Sequence, residues 1–197
     1  IAPPRERFQH GVTGSFEPDA AGVKRDAQLP QRVHGGGKLG GVRVAEIRRA
    51  GGDAHAAALD VSNRDSVKAF FDEAARLYGA VDILVNNAGI GTIGAVEQST
   101  VAQEIAQVRV NVEAVIDLTT RAVQQMVPRG RGAILNVGST AGYHPFPGQS
   151  GYAGTKAFVR TYTEGLRGEL AGTGVTVASL HPGPVRTEFL EAAGMDE

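Results

Sequence analysis

Apolar and polar residues recur along most of this chain with periods that predict its elements. From Val42 to Ala50, Val44 and Ile47 stand among charged residues, the tail of an amphipathic helix that stops at Gly51-Gly52, where glycine takes the left-handed cap. Ala56 to Val61 is a short apolar segment read as a strand. Ser62, with Asp65 three residues on, resembles a capping box that uses Asp in place of Glu. The helix that follows carries Val67, Phe70, Phe71, Ala74 and Leu77 on one face and ends at Gly79. Val81 to Val85 is a largely apolar run of the kind found in a strand buried on both sides. Thr100 to Met126 is compatible with one long helix, stopped by Pro128 and Gly130. Ala133 to Val137 is a further strand, 138–149 a Gly- and Pro-rich loop, Ser150 to Leu170 a helix, and Val175 to Leu180 a last strand. Crossovers this long exclude hairpins, so the alternation predicts an α/β fold: a parallel sheet with helices on both faces.

The regularity begins near residue 42. Residues 1–41 hold Pro3, Pro4, Pro18 and Pro30 and show neither strand alternation nor a helical stripe, so the expectation is a single domain, 1–197, with 1–41 irregular. Glycine is abundant, 27 of 197 residues, about twice the usual share of ~7%. The length suits one domain. Twenty basic against twenty-one acidic residues give a net charge of −1, so no global basic field favours nucleic acid or anionic lipid as partner. Without cysteine there is neither a disulfide frame nor thiolate chemistry. The chain has no apolar run of membrane-spanning length and no secretory leader pattern, and it reads as cytoplasmic with no membrane partner. His10, His34, His55, His144 and His181 are too scattered to suggest a metal set.

Ligands of open parallel sheets bind outside the carboxyl ends of the strands. The residues there are Asp60-Val61, Asn86-Asn87-Ala88-Gly89, Gly138-Ser139 and His181-Pro182-Gly183. Small and polar types gather where a flat cofactor would lie, although strand-to-helix turns favour Asn, Gly, Ser and Pro whatever they bind. Tyr152 and Lys156 are four apart on a predicted helix and share a face. A neighbouring ammonium favours phenolate and brings the tyrosine pKa down toward working pH, which suits a general acid/base. The same spacing also arises by chance in many helices.

Taken in order, Asn86-Asn87-Ala88-Gly89, Asn111, Ser139, Tyr152-x-x-x-Lys156 and Pro182-Gly183 resemble the short-chain dehydrogenase/reductase family, over residues 42–197. The resemblance implies a Rossmann-like doubly wound sheet in three layers. It also implies an NAD(P)-dependent oxidoreductase acting on a small secondary alcohol or ketone. By that resemblance Tyr152 exchanges a proton with the substrate oxygen and Ser139 hydrogen-bonds that oxygen. Lys156 lowers the tyrosine pKa and holds the nicotinamide ribose, and Asn111 holds a water linking Lys156 to solvent. Asp60 and Val61 lie along the adenine, and Asn87, Ala88 and Gly89 along the adenosine side. Pro182 and Gly183 lead to Val185 and Thr187, which meet the carboxamide. Tyr143, His144, Pro145, Phe146 and Pro147 border a partly apolar substrate pocket. A homo-oligomer through the helices at 100–126 and 150–170 is also implied.

The sequence departs from that pattern at both ends. Thr13-Gly14 begin the family's glycine-rich phosphate motif, but Pro18 and Ala20 stand where glycines belong. Gly35-x-Gly37-x-x-Gly40 matches a dinucleotide fingerprint without the strand that should precede it, and the cluster Gly35 to Gly41 reads as a flexible linker. A frame-shifted coding segment at 15–41 would account for a stretch of suitable length but illegible pattern. The family also continues well past Pro182-Gly183, so the chain reads as a fragment lacking the sheet's C-terminal edge. Choice between NAD and NADP falls in the illegible stretch. The alternative to an active enzyme is a non-catalytic or decayed member acting as an interaction module.

Overall fold

The computed structural model describes residues 38–183. Thr13, Gly14, Pro18, Ala20, Val185 and Thr187 lie outside them, as does the irregularity expected before residue 38. The first helix, α1 (Lys38–Arg49), runs back through Gly40 and Gly41, so the linker expectation fails from Lys38 onward. Those glycines occupy its first turn, whose amides have no intrahelical acceptor, so the turn depends least on helix propensity. The helix ends as predicted: Gly51 takes φ +84 and the Gly52 N–H donates to Ile47 C=O.

Helix α2 (Arg64–Tyr78) is capped by Asn63, not Ser62. The Asn63 side-chain oxygen accepts from the N–H groups of Asp65 and Ser66. Starting at Arg64 makes Asp65 the second helical residue, one short of the capping-box position. The Ser62 hydroxyl donates to Asp60 instead, at 2.7 Å. Its far end is Gly79, at φ +83.

Three parallel strands, β1 (Ile83–Asn86), β2 (Gly132–Val137) and β3 (Val175–Leu180), pair in that order. In register across them, Leu84, Ile134 and Val177 form one buried row, and Asn86 and Asn136 form the next, toward the C-terminal ends. The helices on this face are α4 (Ala114–Met126) and α5 (Ser150–Glu169), joined to the asparagine row by Thr119 and Thr163. Val67 and Phe71 of α2 enter the same core. Strand β1 differs from the two-sided burial expected of it: Leu84 is buried, whereas Ile83 and Val85 are only half-buried.

Among the described residues Ala56 to Val61 pairs with no strand. Leu59 and Val61 are nonetheless buried in the core. The predicted 100–126 helix is one helical run in three parts: α3 (Val101–Val108), a π-helical turn over Arg109–Glu113, and α4. Thr100 caps it with a full capping box to Gln103. Among the described residues no helix is long and apolar enough to cross a membrane.

Candidate active site

The C-terminal ends of β1, β2 and β3 face the N-terminal half of α5, and the chemistry gathers there. A 3-10 turn over Thr140–Gly142 leaves β2 and packs on α5 so closely that a β-carbon on Gly142 would come within 2.7 Å of the Lys156 carbonyl carbon. That contact brings Ser139, the residue capping the turn, to Tyr152. Ser139 hydrogen-bonds the phenol and accepts the Ala141 N–H at 3.2 Å. Its neighbours tie β2 to β3: Gly138 N–H donates to Leu180 C=O, and Thr140 N–H to Pro182 C=O. Pro182 is thereby joined to the serine turn.

Lys156 is 5% exposed, its Nζ donating to the Val137 carbonyl at 3.0 Å and lying 5.7 Å from the centre of the Tyr152 ring. Burial penalises the ammonium and pushes its pKa down to about 8. The tyrosine responds differently from the sequence expectation. Burial raises the Tyr152 pKa above the ordinary value, and the hydrogen bond from Ser139 offsets only part of that rise. Desolvation is the larger effect on the phenol, which is therefore neutral at pH 7.

Asn111 sits in the π-helical turn and is 1% exposed. Its Oδ1 accepts the Ile90 N–H at 2.9 Å, and its Nδ2 donates to Ile90 C=O at 2.8 Å and Thr155 Oγ1 at 2.9 Å. One amide therefore fixes the loop after β1 to the helix that carries Tyr152 and Lys156. The Thr155 hydroxyl donates to the Tyr152 backbone carbonyl at 2.8 Å. Gly89 closes the arrangement: a β-carbon there would stand 3.2 Å from Lys156 Nζ and 3.4 Å from Asn111 Oδ1.

The remaining predicted residues divide between site and scaffold. Asn87 is exposed beside Ala88 and Gly89 on the rim. Asp60 is half-buried and bonded to Ser62, while the Val61 side chain is committed to the core. Val61, Asn86, Ala88 and Val115 border a small cavity of about 10 Å³. Tyr143 and Phe146 are exposed, and the Tyr143 ring meets His181 edge-on at 5.0 Å and lies under the Arg160 guanidinium. Sequence reasoning missed Thr155, whose signal was a β-branched hydroxyl directly before the motif lysine. It also missed Gln107, which reads as an ordinary polar position on an amphipathic helix.

A family model described as short chain dehydrogenase matches residues 39–197. Sulfoacetaldehyde reductase 2 of Chromohalobacter salexigens is 36% identical over 137 residues, which cover 68% of this chain and 54% of that protein. The NADP-dependent 3-hydroxy acid dehydrogenase YdfG of Salmonella typhimurium is 38% identical over 135 residues, covering 68% and 54%. Among solved structures, a gluconate 5-dehydrogenase from Burkholderia cenocepacia, in complex with NADP and tartrate, superposes with a TM-score of 0.72 at 33% identity. The match covers 79% of this chain and 61% of that one. The chain thus spans about half the length of the curated relatives it matches.

Proposed function

Because this chain belongs to the short-chain dehydrogenase family, we propose that it transfers hydride between NAD or NADP and a small secondary alcohol or ketone. The observation that carries this reading is the meeting of Ser139, Tyr152 and Lys156 at the C-terminal edge of the sheet, with Gly89 and Asn111 against the same ammonium. The residues present suit a dinucleotide. Gly89 keeps the backbone bare beside Lys156 and Asn111, where a ligand needs close approach.

Asp60, Val61, Asn87, Ala88 and Gly89 would border the adenosine half, with Thr13 and Gly14 toward the phosphates. Lys156, Pro182, Gly183, Val185 and Thr187 would hold the nicotinamide half. When bound, the cofactor supplies or accepts the hydride. The protein's part is the proton and the geometry. Tyr152, neutral at pH 7, gives its proton to a carbonyl oxygen, and Ser139 hydrogen-bonds that oxygen beside the phenol. Lys156 offsets the negative charge the phenol acquires. The exposed rings of Tyr143 and Phe146 favour a substrate with an apolar portion.

Titration of the full chain with NADH and with NADPH, followed by nicotinamide fluorescence, tests the reading. Saturable binding to at least one is expected. No saturation at about millimolar cofactor, a KM of ordinary upper range, would leave only the non-catalytic interaction module.

A second copy of the chain is the proposed partner of α3, α4 and α5. Val101, Ile105 and Val108 expose apolar surface on α3, as does Ile116 on α4. Gly154, Gly165 and Gly168 leave α5 open to a close neighbour. Sedimentation velocity checks this: a species of twice the chain mass is expected, and a monomer at every concentration would exclude it.

A further inference from the structure

Two buried amides, four residues apart on the α3–α4 run, reach the same loop. Asn111 holds Ile90 and crosses to Thr155 of α5. Gln107, 1% exposed, holds Thr92. Its Oε1 accepts the Thr92 N–H at 3.2 Å, and its Nε2 donates to Thr92 Oγ1 at 2.7 Å and to Glu104 Oε2 at 3.0 Å. The Thr92 hydroxyl donates in turn to Glu104 Oε1 at 3.0 Å. Both amide protons are used, and the carboxylate has a partner on each oxygen.

This cluster abuts α5 one residue before Tyr152. A β-carbon on Gly151 would overlap the Glu104 carboxylate and stand 3.2 Å from Gln107 Nε2. Two residues beyond Thr92, Gly94 N–H donates to Gly148 C=O at 3.0 Å, tying the same loop to the segment that enters α5. Hydrogen bonds fix direction as well as distance, whereas an apolar side chain at 107 would fill the volume and fix neither.

We infer that Gln107 is a positioning residue: by holding Thr92 and Glu104 against Gly151, it sets the start of α5, and with it the Tyr152 phenol, relative to the loop that begins at Gly89. This deepens the proposed function and rests on Tyr152 being its proton-transfer group. The role is distinct from that of Asn111, which grips the same loop two residues earlier and meets α5 on the far side of Tyr152.

The test uses the full chain carrying Gln107→Leu, which keeps the bulk and removes every bond. Cofactor affinity is expected to stay near that of the unaltered chain and melting temperature to fall, because the Thr92 N–H and the Glu104 carboxylate each lose a partner, while kcat falls about 10- to 100-fold, the scale of a misplaced reacting group. A second readout needs no turnover. The Tyr152 phenol is titrated by ultraviolet absorbance, as the difference between each chain and the same chain carrying Tyr152→Phe. With Gln107→Leu its midpoint is expected to fall toward the ordinary tyrosine value, because a loosened phenol regains solvent. Should Gln107→Leu not fold, Thr92→Val, which removes only the hydroxyl, should move the midpoint in the same direction by less. An unchanged midpoint in a folded variant overturns the inference, whatever happens to melting temperature. An unaltered chain that binds cofactor but turns over no substrate would count against the enzyme reading, while the phenol titration still decides the role of Gln107.

Discussion

Replacing Tyr152 by Phe is expected to lower kcat by about 10²–10⁴-fold, the range for loss of a positioned general acid, while leaving NADH or NADPH affinity nearly unchanged. The substitution removes one oxygen from a residue whose ring is half-buried on α5, and Lys156 keeps its bond to Val137, so folding has little reason to change. Steady-state rates beside a fluorescence titration of the same preparations make the comparison. A variant as active as the unaltered chain would refute the proton-transfer role, and a variant that no longer binds cofactor would make Tyr152 a binding residue.

The same phenol sets a sign for the pH dependence. Burial raises its pKa, so the protonated form needed for carbonyl reduction persists well above neutrality. Reduction should therefore stay level through mildly alkaline pH and decline only above the ordinary tyrosine range. Alcohol oxidation needs the phenolate and should climb across that interval. If the two directions showed the same pH profile, the titrating group would be something other than Tyr152.

Local pattern carried the elements, and tertiary contact decided the exceptions. Val175 to Leu180 is read correctly to the residue because Gly174, at φ +80, turns sharply into an uninterrupted β-prone run. Helix α5 ends one residue from its expected boundary. The π-helical turn within the 100–126 run is invisible in sequence. Asn111, at its centre, is anchored to Ile90 and Thr155, 21 and 44 positions away, and no helical period encodes such partners. Asn63 rather than Ser62 caps α2, its side-chain oxygen accepting from the Asp65 and Ser66 N–H groups, a choice between adjacent residues that composition does not settle. Ala56 to Val61 has a strand's apolar content, and its side chains do enter the core, but a ladder is a property of two segments. At the site, the ordered set from Asn86 through Tyr152 and Lys156 to Pro182-Gly183 was legible as a resemblance. The balance of forces on it was not, since proximity of a cation is visible in spacing and desolvation is not. Gln107 stayed hidden for the same reason, its main partner Thr92 lying 15 residues away.

Lys156→Met is expected to stabilise the fold at pH 7 while abolishing the proposed activity. The ammonium is almost wholly buried, and its pKa falls from 10.5 to about 8. Below pH 8 both folded and unfolded chains carry the charge, and the folded chain bears its full desolvation cost. Between about 8 and 10.5 the folded chain releases the proton while the unfolded chain keeps it, so stability rises with pH. Above that interval both are neutral and the cost is gone. A shift of this size corresponds to about 3 kcal/mol. Methionine matches the length without the charge, but it leaves the Val137 carbonyl unpaired, which costs back ~1 kcal/mol or more. The net gain at pH 7 is therefore about 2 kcal/mol, read as a higher urea midpoint, and it should shrink as pH climbs through the 8–10.5 interval. A destabilised variant whose deficit grew through that interval would mean that the Val137 bond outweighs the desolvation cost, and a difference that did not change with pH would mean that the Lys156 pKa is not depressed. The observed sign thus decides whether Lys156 is retained here for stability or against it. A lysine kept at a net cost, beside a phenol and a bare glycine backbone, is the pattern a functional site leaves on a fold.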